Sequence, residues 1–272
     1  MKRTAFFVSD STGITAETLG RSLLTQFDDI EVKTVSVPFV AQPELARELV
    51  ERVAQVAAED GARPIVFSTL TDQGIYEIVA ASEALVLDLF SVFIRPLEIE
   101  FNLGSTHASG RSHGMANRAS YEVRMEAVSF ALQHDDGAST RHYNDADLIM
   151  VGVSRSGKTP TCVYLAMQFG LRAANYPMTE DDISRPGLPH AVAPYTDKLF
   201  GLSIDPERLR QVRGERQPNS RYASLSQCRK EVKECEALLR REGVPLLDTT
   251  NLSVEEIASR ILLKTGIERR LR

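Results

Sequence analysis

The sequence predicts an α/β protein of two domains, each with a parallel sheet covered by helices. Short apolar runs alternate with helical patterns along most of the chain, and 272 residues are enough for two modest domains. In the second half, a run of small residues ending in Lys-Thr stands between an apolar strand and a helix. We place the domain boundary near residue 144, which gives residues 1–144 and 145–272.

In the first half, four apolar runs are typical of strands, and amphipathic runs separate them. The predicted strands cover residues 4–8, 31–37, 64–68 and 84–87. The predicted helices cover residues 16–27, 43–58, 72–81 and 121–132. Residues 102–118 are rich in Gly, Ser, His, Asn and Arg and have no period, so we interpret them as a long functional loop.

The second half continues this alternation and predicts a P-loop, nucleotide-kinase-like core with a parallel sheet. The predicted strands cover residues 146–151, 172–176, 198–204 and 244–247. The predicted helices cover residues 158–168, 205–216, 222–242 and 253–263. The third of these helices has apolar residues at a three- and four-residue spacing and ends at Gly243.

The string GVSRSGKT matches the phosphate-loop pattern G-x-x-x-x-G-K-[ST] in full. Because it follows an apolar strand and opens a helix, backbone N–H groups and the helix dipole are expected to face an anion. Lys158 is expected to reach the terminal phosphates and to act in catalysis, and Thr159 to hold Mg²⁺. The predicted nucleotide-binding residues are Gly152, Val153, Ser154, Arg155, Ser156, Gly157, Lys158 and Thr159.

A helix rich in arginine follows the third predicted strand of the second half, with arginines at 208, 210, 213 and 216. Guanidinium groups bind phosphate oxygens in pairs and neutralise charge during phosphoryl transfer, so we expect Arg213 and Arg216 to bind phosphate. A solvated face balanced by Glu207 and Glu215 is the alternative interpretation.

A magnesium site beside the loop needs a carboxylate at the end of a neighbouring strand. Asp205 and Asp248 both follow apolar strands, and the spacing does not distinguish them; Asp205 is the predicted partner of Thr159. Either carboxylate could instead cap the helix that follows it.

The loop after the first strand is rich in hydroxyl groups, with six Ser, Thr and Asp residues within residues 9–18. Ser11 and Thr12 are therefore predicted to bind inorganic phosphate or a phosphorylated side chain, as in the phosphate loop of flavodoxins. Capping of the helix by Thr15 explains part of the pattern without any ligand. A flavodoxin-like electron carrier is a distant alternative, because no aromatic flanking loops accompany this segment.

Three residues are candidates for the group that accepts a proton from a substrate hydroxyl: Asp10, His113 in the string RSHG, and Asp135 in the string HDDG. A lone histidine is more often a packing residue, and Asp-Asp-Gly is often only a turn. The five histidines have no metal-ligand spacing, so no structural metal is expected.

The overall composition excludes several classes of protein. A net charge of −5 does not favour nucleic acid as a partner. The three cysteines are odd in number and lack metal-ligand spacing, which favours a reducing compartment. No apolar run approaches the ~20 residues of a membrane span, and no signal peptide is recognised. We therefore expect a cytoplasmic protein.

Seven strings spread from about residue 6 to residue 267 together resemble the bacterial phosphoenolpyruvate synthase regulatory family, which groups with the regulators of pyruvate, phosphate dikinase. They are SDSTGITAETL, RSHG, HDDG, GVSRSGKTPT, AANYP, LFGLSIDPERL and NSRYASL. The glycine at position 157 and the string RSHG look more like the synthase-regulating branch.

This resemblance implies a bifunctional enzyme. Such proteins use ADP to phosphorylate a threonine of the synthase near its catalytic histidine, which inactivates the synthase. They reverse this by phosphorolysis, with inorganic phosphate as co-substrate and pyrophosphate as product. Here it implies ADP and Mg²⁺ at residues 152–159, and we expect the cleft between the halves to admit the target threonine. We also expect a homodimer, although the sequence does not determine the oligomeric state. The alternatives are an ATP-dependent small-molecule kinase and a non-catalytic nucleotide-sensing regulator.

Overall fold

Both halves of the chain form a four-stranded parallel sheet flanked by helices, which confirms the predicted α/β class. The computed structural model describes residues 2–106, 108 and 118–271. The chain divides into two units, Met1–Ala116 and Asn117–Arg272, each with its own hydrophobic core.

The first unit alternates strands and helices along the chain. Its strands are β1 (Lys2–Val8), β2 (Glu31–Val37), β3 (Ile65–Ser68) and β4 (Leu85–Asp88). Its helices are α1 (Ile14–Leu24), α2 (Pro43–Asp60), α3 (Gln73–Ala80) and α4 (Ser91–Phe101). The strands lie in the order β2-β1-β3-β4, and all pairs are parallel.

Strand β1 is central and buries side chains on both faces of the sheet. Phe6 packs with Leu49 and Val53 of α2 on one face, while Phe7 packs on the other face. Helix α1 approaches that second face closely, because a Cβ atom at Gly20 would lie 2.5 Å from a ring atom of Phe7. A glycine is therefore needed at this point of α1 for helix and sheet to pack.

Helix α4 is absent from the sequence prediction. It contains Pro96 in its interior and buries none of its residues. Phe93, Ile99 and Phe101 are more than half exposed. A proline in the interior disfavours a helix, so the sequence does not predict one here.

The second unit has the same alternation after an initial helix. That helix is α5 (Arg118–Gln133). The strands are β5 (Leu148–Gly152), β6 (Ala173–Pro177), β7 (Leu199–Ser203) and β8 (Leu246–Asp248). The other helices are α6 (Lys158–Phe169), α7 (Glu180–Ser184), α8 (Pro206–Arg216), α9 (Leu225–Arg241) and α10 (Val254–Thr265). The strand order is β6-β5-β7-β8, again all parallel.

The position of α5 moves the division between the units away from residue 144. Ala127 and Ala131 of α5 are buried in one core cluster with Leu148 and Met150 of β5. This apolar contact makes α5 part of the second unit, so the division lies between residues 116 and 117. The fourth predicted helix of the first half thus belongs to the second unit.

The helices of the described residues were also compared with the dimensions of a lipid bilayer: none of the ranges given above forms a membrane span. None of their helices combines the length and the apolar character needed to cross a bilayer.

Candidate active site

The string GVSRSGKT forms the connection between β5 and α6. Strand β5 is buried along its whole length and lies between β6 and β7. The loop thus leaves the carboxyl end of a central strand whose two neighbours are reached in opposite directions, the usual ligand position in open α/β sheets. Helix α6 begins after Gly157, which makes no side-chain cap to the first turn. The N–H groups of that turn can therefore face an anion.

The backbone of the loop requires small residues at two positions. A Cβ atom at Gly152 would lie 2.2 Å from the carbonyl oxygen of Leu202, so only glycine fits there. Gly157 has φ 91°, a conformation that disfavours any other residue. Arg155 also has a positive φ, 76°, although it is not glycine. Such strained residues are frequent where a backbone is held around a ligand.

Lys158 lies inside the loop and is 3% exposed. Its ammonium group donates a hydrogen bond to the carbonyl oxygen of Val153 at 2.9 Å. Burial lowers the pKa of Lys158 from 10.5 to about 8, an effect that nearby Asp136 opposes. A phosphate group bound next to this ammonium would favour its charged form, so the lysine is suited to bind an anion.

The loop opens into a pocket of about 220 Å³. This is smaller than the roughly 300–1,000 Å³ of most small-molecule sites, so it suits phosphate groups better than a whole nucleotide. The pocket is lined by Asp136, Ser154, Arg155, Gly157, Lys158, Thr159, Pro160, Val212 and Arg216. Two arginines and a lysine therefore surround it, together with one carboxylate.

Thr159 is held by a carboxylate that the sequence does not assign to it. Its hydroxyl group donates to Oδ1 of Asp135 at 2.7 Å, and the side-chain amide of Asn175 donates to the same oxygen at 2.5 Å. The backbone N–H of Asp136 in turn donates to the side-chain carbonyl of Asn175 at 3.1 Å. Asn175 is fully buried in β6. Asn175 therefore connects the HDDG segment to β6, and Asp135 connects that segment to the start of α6.

The two carboxylates considered for magnesium on sequence grounds have other roles in the structure. Asp205 caps α8 by accepting a hydrogen bond from the N–H of Arg208 at 3.0 Å. Asp248 accepts from the N–H of Thr250 at 2.9 Å. Among the described residues, no group of three His, Cys, Asp or Glu side chains could hold a metal. A Mg²⁺ ion that is bound mainly by phosphates and water needs only one or two carboxylates.

The two predicted phosphate-binding arginines differ in their surroundings. Arg216 lines the pocket, whereas Arg213 is fully buried and forms an ion pair with Glu231 at 2.7 Å. The burial and the ion pair of Arg213 do not favour the expectation that this residue binds phosphate. Its guanidinium group also donates to the carbonyl oxygens of Tyr222 at 3.1 Å and Ser154 at 3.2 Å. Arg213 therefore stabilises the backbone of the loop at Ser154 and does not line the pocket.

The hydroxyl-rich loop of the first unit is organised by Asp10. Oδ2 of Asp10 accepts hydrogen bonds from the N–H of Thr71 at 2.9 Å and from its hydroxyl group at 2.5 Å. Helix α1 begins after Gly13, so Thr15 lies in the first turn and does not cap the helix. The carbonyl oxygen of Ser11 accepts from the N–H of Phe39 at 2.9 Å. Phosphate binding by Ser11 and Thr12 stays a prediction.

Of the three candidates for the proton acceptor, only Asp135 has a described contact with the phosphate loop. Asp10 belongs to the first unit. His113 and the string RSHG lie outside the described residues. The polar partners Asn175 and Tyr222 were missed at the sequence level, although an asparagine inside an otherwise apolar strand is a signal for a buried hydrogen-bond network.

The fold and this site define an α/β protein with two parallel sheets and a phosphate-loop sequence at the end of a central strand. A family model described as Kinase/pyrophosphorylase matches residues 5–262. The chain therefore belongs to the kinase/pyrophosphorylase family.

Full-length relatives agree with this assignment. A protein of Stutzerimonas stutzeri is 55% identical over 272 residues, covering 100% of both chains. A protein of Marinobacter nauticus is 53% identical over 269 residues, covering 99% of each chain, and one of Pseudomonas putida is 54% identical over 272 residues, covering 100% of each. All three carry the name "Putative phosphoenolpyruvate synthase regulatory protein". Family membership supports a phosphotransferase activity.

Proposed function

We propose that this chain is a bifunctional enzyme that controls phosphoenolpyruvate synthase. It uses ADP to phosphorylate a threonine of the synthase, and it removes that phosphate with inorganic phosphate to release pyrophosphate. The observation that carries the proposal is the buried Lys158 inside a glycine loop, with Thr159 of the same loop held by Asp135. The names of the relatives support the target, and the name of the family supports both reactions.

The size of the pocket supports a diphosphate in both directions. In the kinase direction the diphosphate is that of ADP, and in the other direction it is the pyrophosphate product. A volume of about 220 Å³ is large enough for the phosphate groups of either diphosphate. One site can then serve both reactions, because each needs the same positioning and charge neutralisation.

In the kinase direction the threonine oxygen bonds to the β-phosphorus of ADP, the bond from that phosphorus to the bridging oxygen breaks, and AMP leaves. The hydroxyl proton passes to Asp135. In the opposite direction an oxygen of inorganic phosphate bonds to the phosphothreonine phosphorus, the bond to the threonine oxygen breaks, and pyrophosphate leaves. Protonated Asp135 then returns the proton to the threonine oxygen.

Lys158 and Arg216 neutralise the phosphate oxygens from two sides of the pocket. The hydroxyl group of Thr159 and the carboxylate of Asp136 fit a Mg²⁺ ion, because both are hard oxygen ligands at the same pocket. When bound, the ion supplies charge neutralisation on the phosphates.

We also propose a cytoplasmic homodimer, which measurement of the molar mass in solution would test.

The proposal is tested with purified protein, phosphoenolpyruvate synthase, ADP and Mg²⁺, followed by mass spectrometry of the synthase. We expect one phosphothreonine and loss of synthase activity, and addition of inorganic phosphate should then release pyrophosphate. Lys158→Ala should abolish both directions. Phosphorylation of a small metabolite by ATP would instead support a small-molecule kinase. Inhibition of the synthase only at equimolar protein, with no covalent change, would support a non-catalytic regulator.

A further inference from the structure

Tyr222 lies beside the phosphate loop, although it comes from a distant part of the chain. It belongs to a short 3-10 helix, Arg221–Ala223, between α8 and α9. Its hydroxyl oxygen is 3.0 Å from the hydroxyl oxygen of Ser154. Ser154 itself lines the pocket that we assign to the phosphates. This contact therefore connects the segment between α8 and α9 to a potential phosphate ligand.

The position of Tyr222 is set by Arg213. The guanidinium carbon of Arg213 lies 4.1 Å from the centre of the tyrosine ring, and one of its N–H groups donates to the Tyr222 carbonyl oxygen at 3.1 Å. Glu231 fixes the guanidinium group in turn with an ion pair of 2.7 Å. Because Arg213 is fully buried and has well-defined partners, it holds Tyr222 in one place.

Ser154 is thus held at two points. The carbonyl oxygen of Ser154 accepts from Arg213 at 3.2 Å, and its hydroxyl group contacts Tyr222. A carbonyl oxygen that faced the pocket would repel an anion. The carbonyl oxygen of Ser154 is directed towards Arg213 instead, because it accepts a hydrogen bond from that residue. The hydroxyl group of Ser154 is then the part of the residue that can serve the pocket.

The direction of the hydrogen bond between the two hydroxyl groups decides what Ser154 can do. A phenolic O–H is a stronger acid, and so a better donor, than an aliphatic O–H, while a serine oxygen accepts readily. Either hydroxyl group can be the donor of this hydrogen bond, and the greater acidity of a phenol favours Tyr222, whose donation leaves the proton of Ser154 available for a second acceptor.

We propose that Tyr222 is a positioning residue that directs the hydroxyl group of Ser154 as a hydrogen-bond donor to a phosphate oxygen of ADP or of inorganic phosphate. This inference rests on the proposed function, because it assigns a task to one residue of that site. It also gives a role to the string NSRYASL, which lies outside the phosphate loop in sequence.

The test is a double-mutant cycle on ADP binding, measured by isothermal titration calorimetry with Mg²⁺ present. Tyr222→Phe keeps the ring over Arg213 and removes only the donor. We expect it to weaken ADP binding about 5- to 10-fold, the effect of one hydrogen bond between neutral groups, with an unchanged melting temperature. Ser154→Ala should weaken binding by a similar factor or more. The double variant should bind no more weakly than Ser154→Ala alone, because Tyr222 acts through Ser154.

Tyr164→Phe is the matched control, because this tyrosine lies on α6 and packs edge-on against Phe169. It should leave ADP binding unchanged. Equal affinity of wild type and Tyr222→Phe for ADP would overturn the inference and leave the proposed function intact. Losses that add in the double variant, or tighter binding by Tyr222→Phe, would also overturn it. If wild type does not bind ADP at all, the proposed function fails, and this inference fails with it.

Discussion

The two units of the chain share one topology and differ in the chemistry of one loop. Each sheet places its first strand between the second and third strands, and each first strand leads through a loop into a helix. Both helices begin after a glycine with positive φ that makes no side-chain cap, Gly13 at 78° and Gly157 at 91°. The second loop adds a buried lysine and opens into a pocket lined by arginines. The first contains Asp10, which binds Thr71.

In both units the fold provides a crevice for a ligand, and the side chains in the crevice decide which ligand can bind there. Parallel strands with this order leave a crevice at the carboxyl end of the central strand in both units. A cation in the crevice makes it suitable for phosphate, whereas a carboxylate opposes an anion of like charge. We therefore expect variants in the second loop to alter ADP binding and catalysis, and matched variants in the first loop to leave ADP binding unchanged.

The largest effect on ADP binding and activity is expected for Lys158→Met. Loss of the ammonium group should weaken ADP binding about 100-fold or more and remove both activities. The same variant should raise the free energy of unfolding at pH 7 by about 1–3 kcal/mol, because it removes a buried charge whose pKa is lowered. Calorimetry of binding and thermal unfolding measure the two effects. Lys233→Met, at an exposed position of α9, should change neither. A destabilised Lys158→Met protein would contradict this account.

The next largest effect is expected for Asp135→Asn. It should lower kcat of the kinase reaction about 100-fold with little change in KM for ADP, because an amide still accepts from Thr159 but cannot take a proton. Asp10→Asn is the matched change in the first unit and should leave kcat within about twofold of wild type. Equal losses in the two variants would mean that the first loop takes part in the chemistry, as the sequence prediction for Asp10 allows.

The pH dependence of ADP binding follows from Lys158. Its pKa of about 8 in the folded protein means that the ammonium form, which binds phosphate, is lost as the pH rises above 8. The dissociation constant for ADP should then rise about tenfold per pH unit up to pH 10. ADP keeps its charge in this range, since a phosphate group loses its last proton near pH ~6. A flat profile between pH 7 and 10 would contradict the assignment of Lys158.

The lowered pKa of Lys158 also makes stability depend on pH, but in the opposite direction: stability rises with pH, whereas affinity for ADP falls. The folded-state pKa of Lys158 lies below its ordinary value of 10.5. The unfolded chain therefore binds more protons between pH 8 and pH 10.5, and the contribution of this group to stability rises with pH in that window. Below pH 8 the cost of the buried charge is present in full.

The smallest effect on ADP binding is expected for Gly157→Ala. Gly13→Ala is the matching change in the first unit and gives the closest comparison between the two loops. Both positions have positive φ, and an added Cβ atom would meet no neighbour closer than 3.8 Å at Gly13 or 3.9 Å at Gly157. Each change should therefore lower the free energy of unfolding by about 1–2 kcal/mol through backbone strain alone. Only Gly157→Ala should also weaken ADP binding, by a few fold, because it disturbs the N–H groups around the phosphates. An equal loss of affinity in Gly13→Ala would place ADP, or a second phosphate, at the first loop.

The local features of the chain were predictable from sequence. Strands β1, β2 and β5 and helices α2, α6 and α9 follow from apolar periodicity and from glycine or proline at their ends. The string GVSRSGKT was recognised as a phosphate-loop motif because its pattern is contiguous in sequence. Helix α4 could not be found in this way, since it has no buried face and contains Pro96.

The sequence by itself determined the α/β class, the position of the glycine loop and the family of the chain, because each depends on residues close together along the chain or on whole-length similarity. Tertiary structure alone decided that α5 packs on the second sheet, that Asp135 rather than Asp205 contacts Thr159, and that Arg213 lies behind the loop. The last two contacts join residues 24 and 59 positions apart. Spacing carries no information about such pairs, since burial and hydrogen bonding select them only once the sheet and its helices are assembled.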